Sequence, residues 1–257
     1  MISILITGTS RGLGLELVSQ LLSLSPPPTT TIKKTTMIFA TARASLPSPA
    51  LSKVIDASHG RVHFVSLDVN SDTSVTQAVR EVESHLGPNQ GLDILINNAG
   101  IQGQEGPTSQ IRTGTLELTF STNVTSIHRV TSAFLPFLMK GEQKKIVNIT
   151  STLGSIALIK QFAMAPTPSY KISKAALNML TAQYAEELGP KGFTVFAVSP
   201  GWLKTDLGGS YADLEVADGA SRVARIVMEA ERERDNGCFR DIHVEGSEVY
   251  TGNNPPW

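Results

Sequence analysis

Short apolar, β-branched runs alternate along the chain with stretches whose leucines and valines recur every three or four residues. Ile2-Ser3-Ile4-Leu5-Ile6 is the first such run; glycines follow it directly, which predicts a buried parallel strand. Leu13, Leu17, Leu21 and Leu24 then mark one face of a helix over 12–24. Strands are predicted at 37–41, 62–67, 92–96, 145–150 and 193–198, with a short helix at 51–57. Ser71 or Asp72 can cap a helix carrying Val75, Val79, Val82 and Leu86, which Gly87-Pro88 stops. Two longer helical patterns cover 115–139 and 170–188, the second closed by Gly189-Pro190. Strands alternating with helices imply right-handed crossovers and a parallel sheet covered on both faces. The predicted fold is α/β: a Rossmann-like doubly wound sheet in a three-layer α/β/α sandwich, a single domain over 1–257. The stretch 25–36 holds Pro26-Pro27-Pro28 and five threonines, and reads as a tolerated surface loop insertion.

Composition narrows the function classes. The 257 residues are 40% hydrophobic, enough for a core, and no apolar run approaches the ~18 residues of a membrane helix. Lys and Arg number 22 against 23 acids, without a basic run, so no nucleic-acid partner is expected. Cys238 is the only cysteine, and the five histidines show no paired metal-ligand spacing. A reducing compartment, hence a cytoplasmic location without a signal peptide, is the expectation.

The first predicted strand runs into Thr7-Gly8-Thr9-Ser10-Arg11-Gly12-Leu13-Gly14. Such glycines could form a plain turn. Lying between a strand and a leucine-striped helix, they favour a diphosphate held by first-turn N–H groups and the helix dipole. At the end of the second strand an acid would bind a ribose 2′-hydroxyl, and a basic residue a 2′-phosphate. Arg43 stands there, with Arg11 able to flank it, so NADP(H) is favoured over NAD(H); a merely solvated Arg43 is the alternative. Asp68-Val69 ends the third strand, where Asp68 can accept from an adenine amino group or cap the next helix. In Asn97-Asn98-Ala99-Gly100, Asn97 can satisfy backbone groups of neighbouring strand ends or contact the cofactor. Tyr170 and Lys174 are four apart and share a helix face, so both can act on one ligand. A Lys ammonium with a cationic oxidised nicotinamide would lower the Tyr170 pKa from its usual value near ~10.

Together, Thr7-Gly8-x-x-x-Gly12-x-Gly14, Asn97-Asn98-Ala99-Gly100, Asn123, Ser151, Tyr170-x-x-x-Lys174 and Pro200-Gly201-x-x-x-Thr205 closely resemble the short-chain dehydrogenase/reductase family. The ending, from Asp235-Asn236-Gly237 to Pro255-Pro256-Trp257, looks more specifically like the C-factor-like and sniffer-like carbonyl reductases. The resemblance implies a catalytic set of Asn123, Ser151, Tyr170 and Lys174. Tyr170 would be the general acid in reduction, and Lys174 would bind the nicotinamide ribose and depress the Tyr170 pKa. Ser151 would hold the substrate oxygen, and Asn123 a water that relays protons from Lys174 to solvent. Pro200-Gly201 would carry the chain past the nicotinamide, with Leu203 and Thr205 on its carboxamide. The expected function is NADPH-dependent reduction of a ketone or aldehyde on a small, fairly apolar molecule. The alternatives are an NADP(H)-sensing regulator on the same fold, and an NAD(P)+-dependent alcohol dehydrogenase. Monomer, homodimer and homotetramer all stay open.

Ser151 and Tyr170 are 19 positions apart, longer than the roughly dozen expected of typical members. The extra residues at 159–168, and the segment 203–220, are expected to rim the substrate pocket. Cys238 reads as a small buried hydrophobe opening a last strand, and 229–235 as a solvated helix end.

Overall fold

β1 (Ile2–Thr7) is buried along its whole length, as an apolar run needs when helices cover both sides of a sheet. The computed structural model describes residues 1–24, 36–88 and 90–257. The other strands are β2 (Thr36–Ala42), β3 (Val62–Ser66), β4 (Ile94–Asn97), β5 (Lys145–Ile149), β6 (Thr194–Ser199) and β7 (Phe239–Asp241). They form one sheet in the order β3-β2-β1-β4-β5-β6-β7, every neighbour pair parallel. The doubly wound Rossmann-like expectation is met. Strand order reverses between β1 and β4, which opens a crevice at their carboxyl ends.

Alternation along the strands feeds two cores. Ile4, Ile38, Ile96, Val147 and Phe196 meet α1 (Gly12–Ser23) and α7 (Val216–Glu229) through Leu17, Leu21, Val223 and Val227. Leu5, Phe39, Leu95, Ile146 and Val195 meet α3 (Asp72–Leu86), α5 (Ser126–Lys140) and α6 (Pro168–Leu188) on the other face. Two short helices complete the set so far: α2 (Pro49–Ala57) and α4 (Thr113–Phe120).

Several expectations shift. Of the 25–36 insertion, 25–35 lies outside the described residues, and Thr36 already belongs to β2. The single helix over 115–139 is α4 and α5 joined by a π-turn, Ser121–Thr125. Residues 216–220 are not pocket rim: they open α7, where Gly219 and Ala220 are buried. Likewise Thr167 is buried and Pro168 opens α6, so only the earlier part of 159–168 can form a rim. The run 229–235 is solvent-exposed at Glu229 and at 231–234, as expected, but not at Ala230 and Asp235. It contains α8 (Arg232–Asp235), in which Asp235 is 1% exposed and paired with Arg240 and, at 3.0 Å, with Arg234. Cys238 is half-buried beside β7, its Sγ donating to Arg234 O.

The amino edge of the sheet is tied off by polar clamps. The Asp93 carboxylate accepts from Ser3 N and Ser3 Oγ through one oxygen, and from Glu142 N and Gln143 N through the other. The Lys145 ammonium is buried and donates to Val227 O and Met228 O, both at 3.0 Å, at the carboxyl end of α7. Burial pushes its pKa down to about 8. No helix among the described residues is long and apolar enough to cross a membrane.

Candidate active site

The carboxyl edge of the sheet carries the candidate chemistry, starting with the turn from β1 into α1. Gly8 and Gly12 have positive φ values of 74° and 57°. At Gly14, a Cβ would lie 2.2 Å from Gly8 O and 2.5 Å from Asn98 Nδ2, so no side chain fits. No side chain caps α1 and no acid sits in its first turn, leaving the N–H groups of Gly12, Leu13 and Gly14 for an anion. The cradle therefore fits a dinucleotide diphosphate. Ser48 Oγ donates to Ser10 O at 2.7 Å, and Thr9 N donates to Thr41 O, tying the loop to β2 and α2.

Asn98 and Thr7 do the work assigned to Asn97. Asn98 Nδ2 donates to Thr7 O and Gly8 O, while Thr7 Oγ1 accepts from Asn98 N and Ala99 N. Asn97 instead points into the layer beneath, where Nδ2 donates to Asn148 Oδ1 and Thr131 Oγ1. Alternation along the strand forces this, because successive side chains leave opposite faces.

Arg43 directly follows β2 and is exposed. Arg11 pairs its Nε with Asp206 at 2.7 Å, both side chains about three-quarters exposed. Such an exposed pair contributes ~0–1 kcal/mol and can be exchanged for a phosphate. Asp68 caps no helix. Its Oδ1 accepts from Asn70 N, and Ser71 caps α3. Val69 buries its side chain, so only its backbone faces the crevice edge. After β6, Gly201 turns with φ 80°. Leu203 is buried against Gly219 of α7, which leaves its backbone for any carboxamide contact. Thr205 lies beside Gly12, with Oγ1 accepting from Gly208 N.

The four expected catalytic residues converge. Ser151, just past β5, caps a short 3-10 turn, Thr152–Gly154, its Oγ accepting from Leu153 N, and its hydroxyl acts on the phenol of Tyr170 on α6. Lys174, one turn after Tyr170, is 4% exposed; its Nζ donates to Ile149 O at 2.7 Å and lies 5.5 Å from the Tyr170 ring centroid. Asn123 sits in the π-turn, fully buried. Its Nδ2 donates to Ile101 O and Ser173 Oγ, and its Oδ1 accepts from Ile101 N. Both amide hydrogens are thus committed, and only acceptor capacity is left for a water. Gly100 lies next to Asn123 Oδ1 and Lys174 Nζ.

The protein's own groups do not depress the tyrosine. Burial pushes Tyr170 up to about 12, and the neighbouring Ser151 hydroxyl only moderates this. Burial also pushes Lys174 down to about 8. At neutral pH Tyr170 therefore holds its proton, the state a general acid requires.

The sequence reading gave no role to Asn98 and overlooked Asp206, Asp213 and Tyr250. Asn98 stood inside a quoted motif; the others carry no local signal, because their partners are distant in the chain. Tyr250 OH donates to Asp213 Oδ2 and accepts from Trp202 N.

The family model for short chain dehydrogenase matches residues 3–215. A protein named C-signal from Myxococcus xanthus is 34% identical over 166 residues, covering 65% of this chain and 93% of that protein. Carbonyl reductase Sniffer of D. melanogaster superposes with TM-score 0.86 at 30% identity, covering all of both chains. An NADPH-bound carbonyl reductase from chicken fatty liver superposes with TM-score 0.85 at 29% identity, covering 99% of this chain and 94% of that one.

Proposed function

The chain belongs to the short-chain dehydrogenase family of oxidoreductases, and on that premise we propose that it reduces a ketone or aldehyde on a small, fairly apolar molecule with NADPH. The observation that carries this reading is the convergence of Ser151, Tyr170 and Lys174 at the carboxyl edge, with Tyr170 protonated at neutral pH. NADPH supplies the hydride when bound. Tyr170 Oη donates its proton to the carbonyl oxygen, and the Ser151 hydroxyl orients that oxygen. Lys174 holds the ribose hydroxyls and restores the proton through a water near Asn123. Gly8, Ser10, Gly12, Leu13 and Gly14 cradle the diphosphate, with Pro200, Gly201, Leu203 and Thr205 at the nicotinamide end. Asn97, Ala99 and Gly100 line the crevice by their backbone. Asp68 and Val69 border the adenine, and Arg43 reads the 2′-phosphate, joined by Arg11 released from Asp206. The name of the NADPH-bound structural relative supports this choice of cofactor.

Apolar side chains exposed on the loops after β5 and β6 support an apolar substrate: Ile156, Ile159 and Met164 on one, Trp202, Leu207 and Tyr211 on the other. The alcohol-oxidising direction uses the same residues. The C-signal relative's name favours a second reading, an NADP(H)-sensing regulator. Fluorescence titration with NADPH and NADH, followed by turnover of carbonyls by wild type and Tyr170→Phe, separates them. A tenfold or greater preference for NADPH, ~1.4 kcal/mol or more, is expected. Tyr170→Phe should lose roughly 10²–10⁴-fold in rate with NADPH affinity kept within about twofold. Unchanged turnover in that variant overturns the assignment, and binding without any turnover favours the regulator.

A further inference from the structure

Residues 250–257 touch both loops that frame the candidate site. At one end, Tyr250 is 8% exposed, and its hydroxyl bridges the loop after β6, accepting from Trp202 N at 3.2 Å and donating to Asp213 Oδ2 at 2.7 Å. Its ring also packs over Gly201, where a Cβ would lie 3.2 Å from Tyr250 Cε1. At the other end, the Trp257 ring stacks on buried Phe239 of β7, centroids 5.4 Å apart. There the backbone receives the loop that starts at Ser151: Ser155 Oγ donates to Pro256 O at 2.6 Å, and Ala157 N donates to Trp257 O at 3.3 Å. Between the two ends the segment is held to the chain after β7. Val244 N donates to Tyr250 O, Gly252 N donates to Ile242 O, and Thr251 bridges to His243.

We propose that residues 250–257 are a brace that fixes the separation of the two pocket loops, with Tyr250 and Trp257 as positioning residues that determine which carbonyl substrates fit. The proposal rests on the reductase reading above for its substrate, though the brace itself is a statement about loop order. Neither residue carries a proton in the reaction. Each acts through a loop: Trp257 on the one that leads away from Ser151, Tyr250 on the one that follows the Pro200-Gly201 turn. Loops held at both ends present a pre-formed cleft, which spares the ordering cost when substrate binds. Because the rim exposes apolar side chains, with Ile156 74%, Met164 92% and Tyr211 90% exposed, it suits a bulky aromatic carbonyl better than a short aliphatic one.

The test uses the full chain and the variants Trp257→Ala, Trp257→Phe and Tyr250→Phe, read by amide hydrogen exchange, NADPH titration and turnover of 2-acetylnaphthalene and propanal. Trp257→Ala should speed exchange at 152–158 at least tenfold and raise KM for 2-acetylnaphthalene at least tenfold. Its kcat should stay within threefold, and its NADPH affinity within twofold. Trp257→Phe, which keeps a ring on Phe239, should restore both. Tyr250→Phe keeps its packing and should loosen 202–213 in the same way. Wild-type exchange and KM in Trp257→Ala overturn the brace, as does exchange raised evenly across the sheet. Should wild type reduce neither carbonyl, the reductase reading fails for these substrates, and loop exchange alone decides the brace.

Discussion

Asn98 shows how one amide can hold a site together. By donating to Thr7 O and Gly8 O it joins the ends of β1 and β4, and so fixes the mouth of the crevice. Asn98→Ala leaves these carbonyls short of donors, which costs ~1–3 kcal/mol. Thermal unfolding should register that loss, and NADPH titration a several-fold weaker affinity. Gly14→Ala is harsher, because its methyl meets the Gly8 carbonyl. The loop must move, so NADPH affinity should fall at least tenfold in the same titration. Lys174 makes a prediction about pH. Burial holds it at about 8, so its charge fades as pH rises past that value, while Tyr170, pushed up to about 12, keeps its proton. The kcat/KM of reduction should therefore be level below about pH 8 and decline above it. Lys174→Arg, always charged but unable to pass on a proton, should turn over far more slowly and without that decline.

Elements dock through pairs whose protonation matters. His63 on β3 and His85 on α3 pack with tilted rings, centroids 4.5 Å apart, against Phe39 of β2. Burial, then the charge of His85, lowers the His63 pKa, so the folded state prefers neutral imidazole. Its contribution to stability is present above the ordinary histidine value and lost as pH falls through the lowered one. Wild type should thus lose more Tm between pH 7.5 and 5 than His63→Phe does. Asp241 works in the opposite direction, since burial raises it to about 6, but it is common to both proteins. At α8, the buried Asp235 carboxylate joins Arg234 and Arg240. Asp235→Ala leaves Arg240 without its partner, and should cost about 3 kcal/mol, a Tm drop of roughly 6–10 °C. The strands and most helices were legible in the sequence because their periodicity is local. The helix α7 was passed over although Val216, Val223 and Val227 share one face, because Gly219 near its start reads as a turn. The π-turn was also hidden: its cause lies in Asn123 reaching Ile101, a contact no periodicity records.

For the whole molecule, ligand binding should add to stability by mass action. NADPH at a hundred times its Kd is worth ~2.7 kcal/mol, which should raise Tm by roughly 5–10 °C, with NADH at equal concentration giving clearly less. An equal shift with both would count against Arg43 as the phosphate reader. At this scale the site was partly legible. Glycine spacing, Ser151 and the Tyr170–Lys174 pair lie in short stretches, whereas Tyr250 with Asp213 and Arg11 with Asp206 exist only once the chain is folded. The polar clamps of Asp93 and Lys145 lie at the rim of the sheet opposite all these groups. Enzymes often lose activity when they are made sturdier, because strained catalytic groups resist tightening. Here the two demands occupy separate ends of the strands. A protein engineer can therefore harden the amino rim for heat tolerance and reshape the carboxyl rim for a new substrate, each in its own library, and combine the winners with little interference.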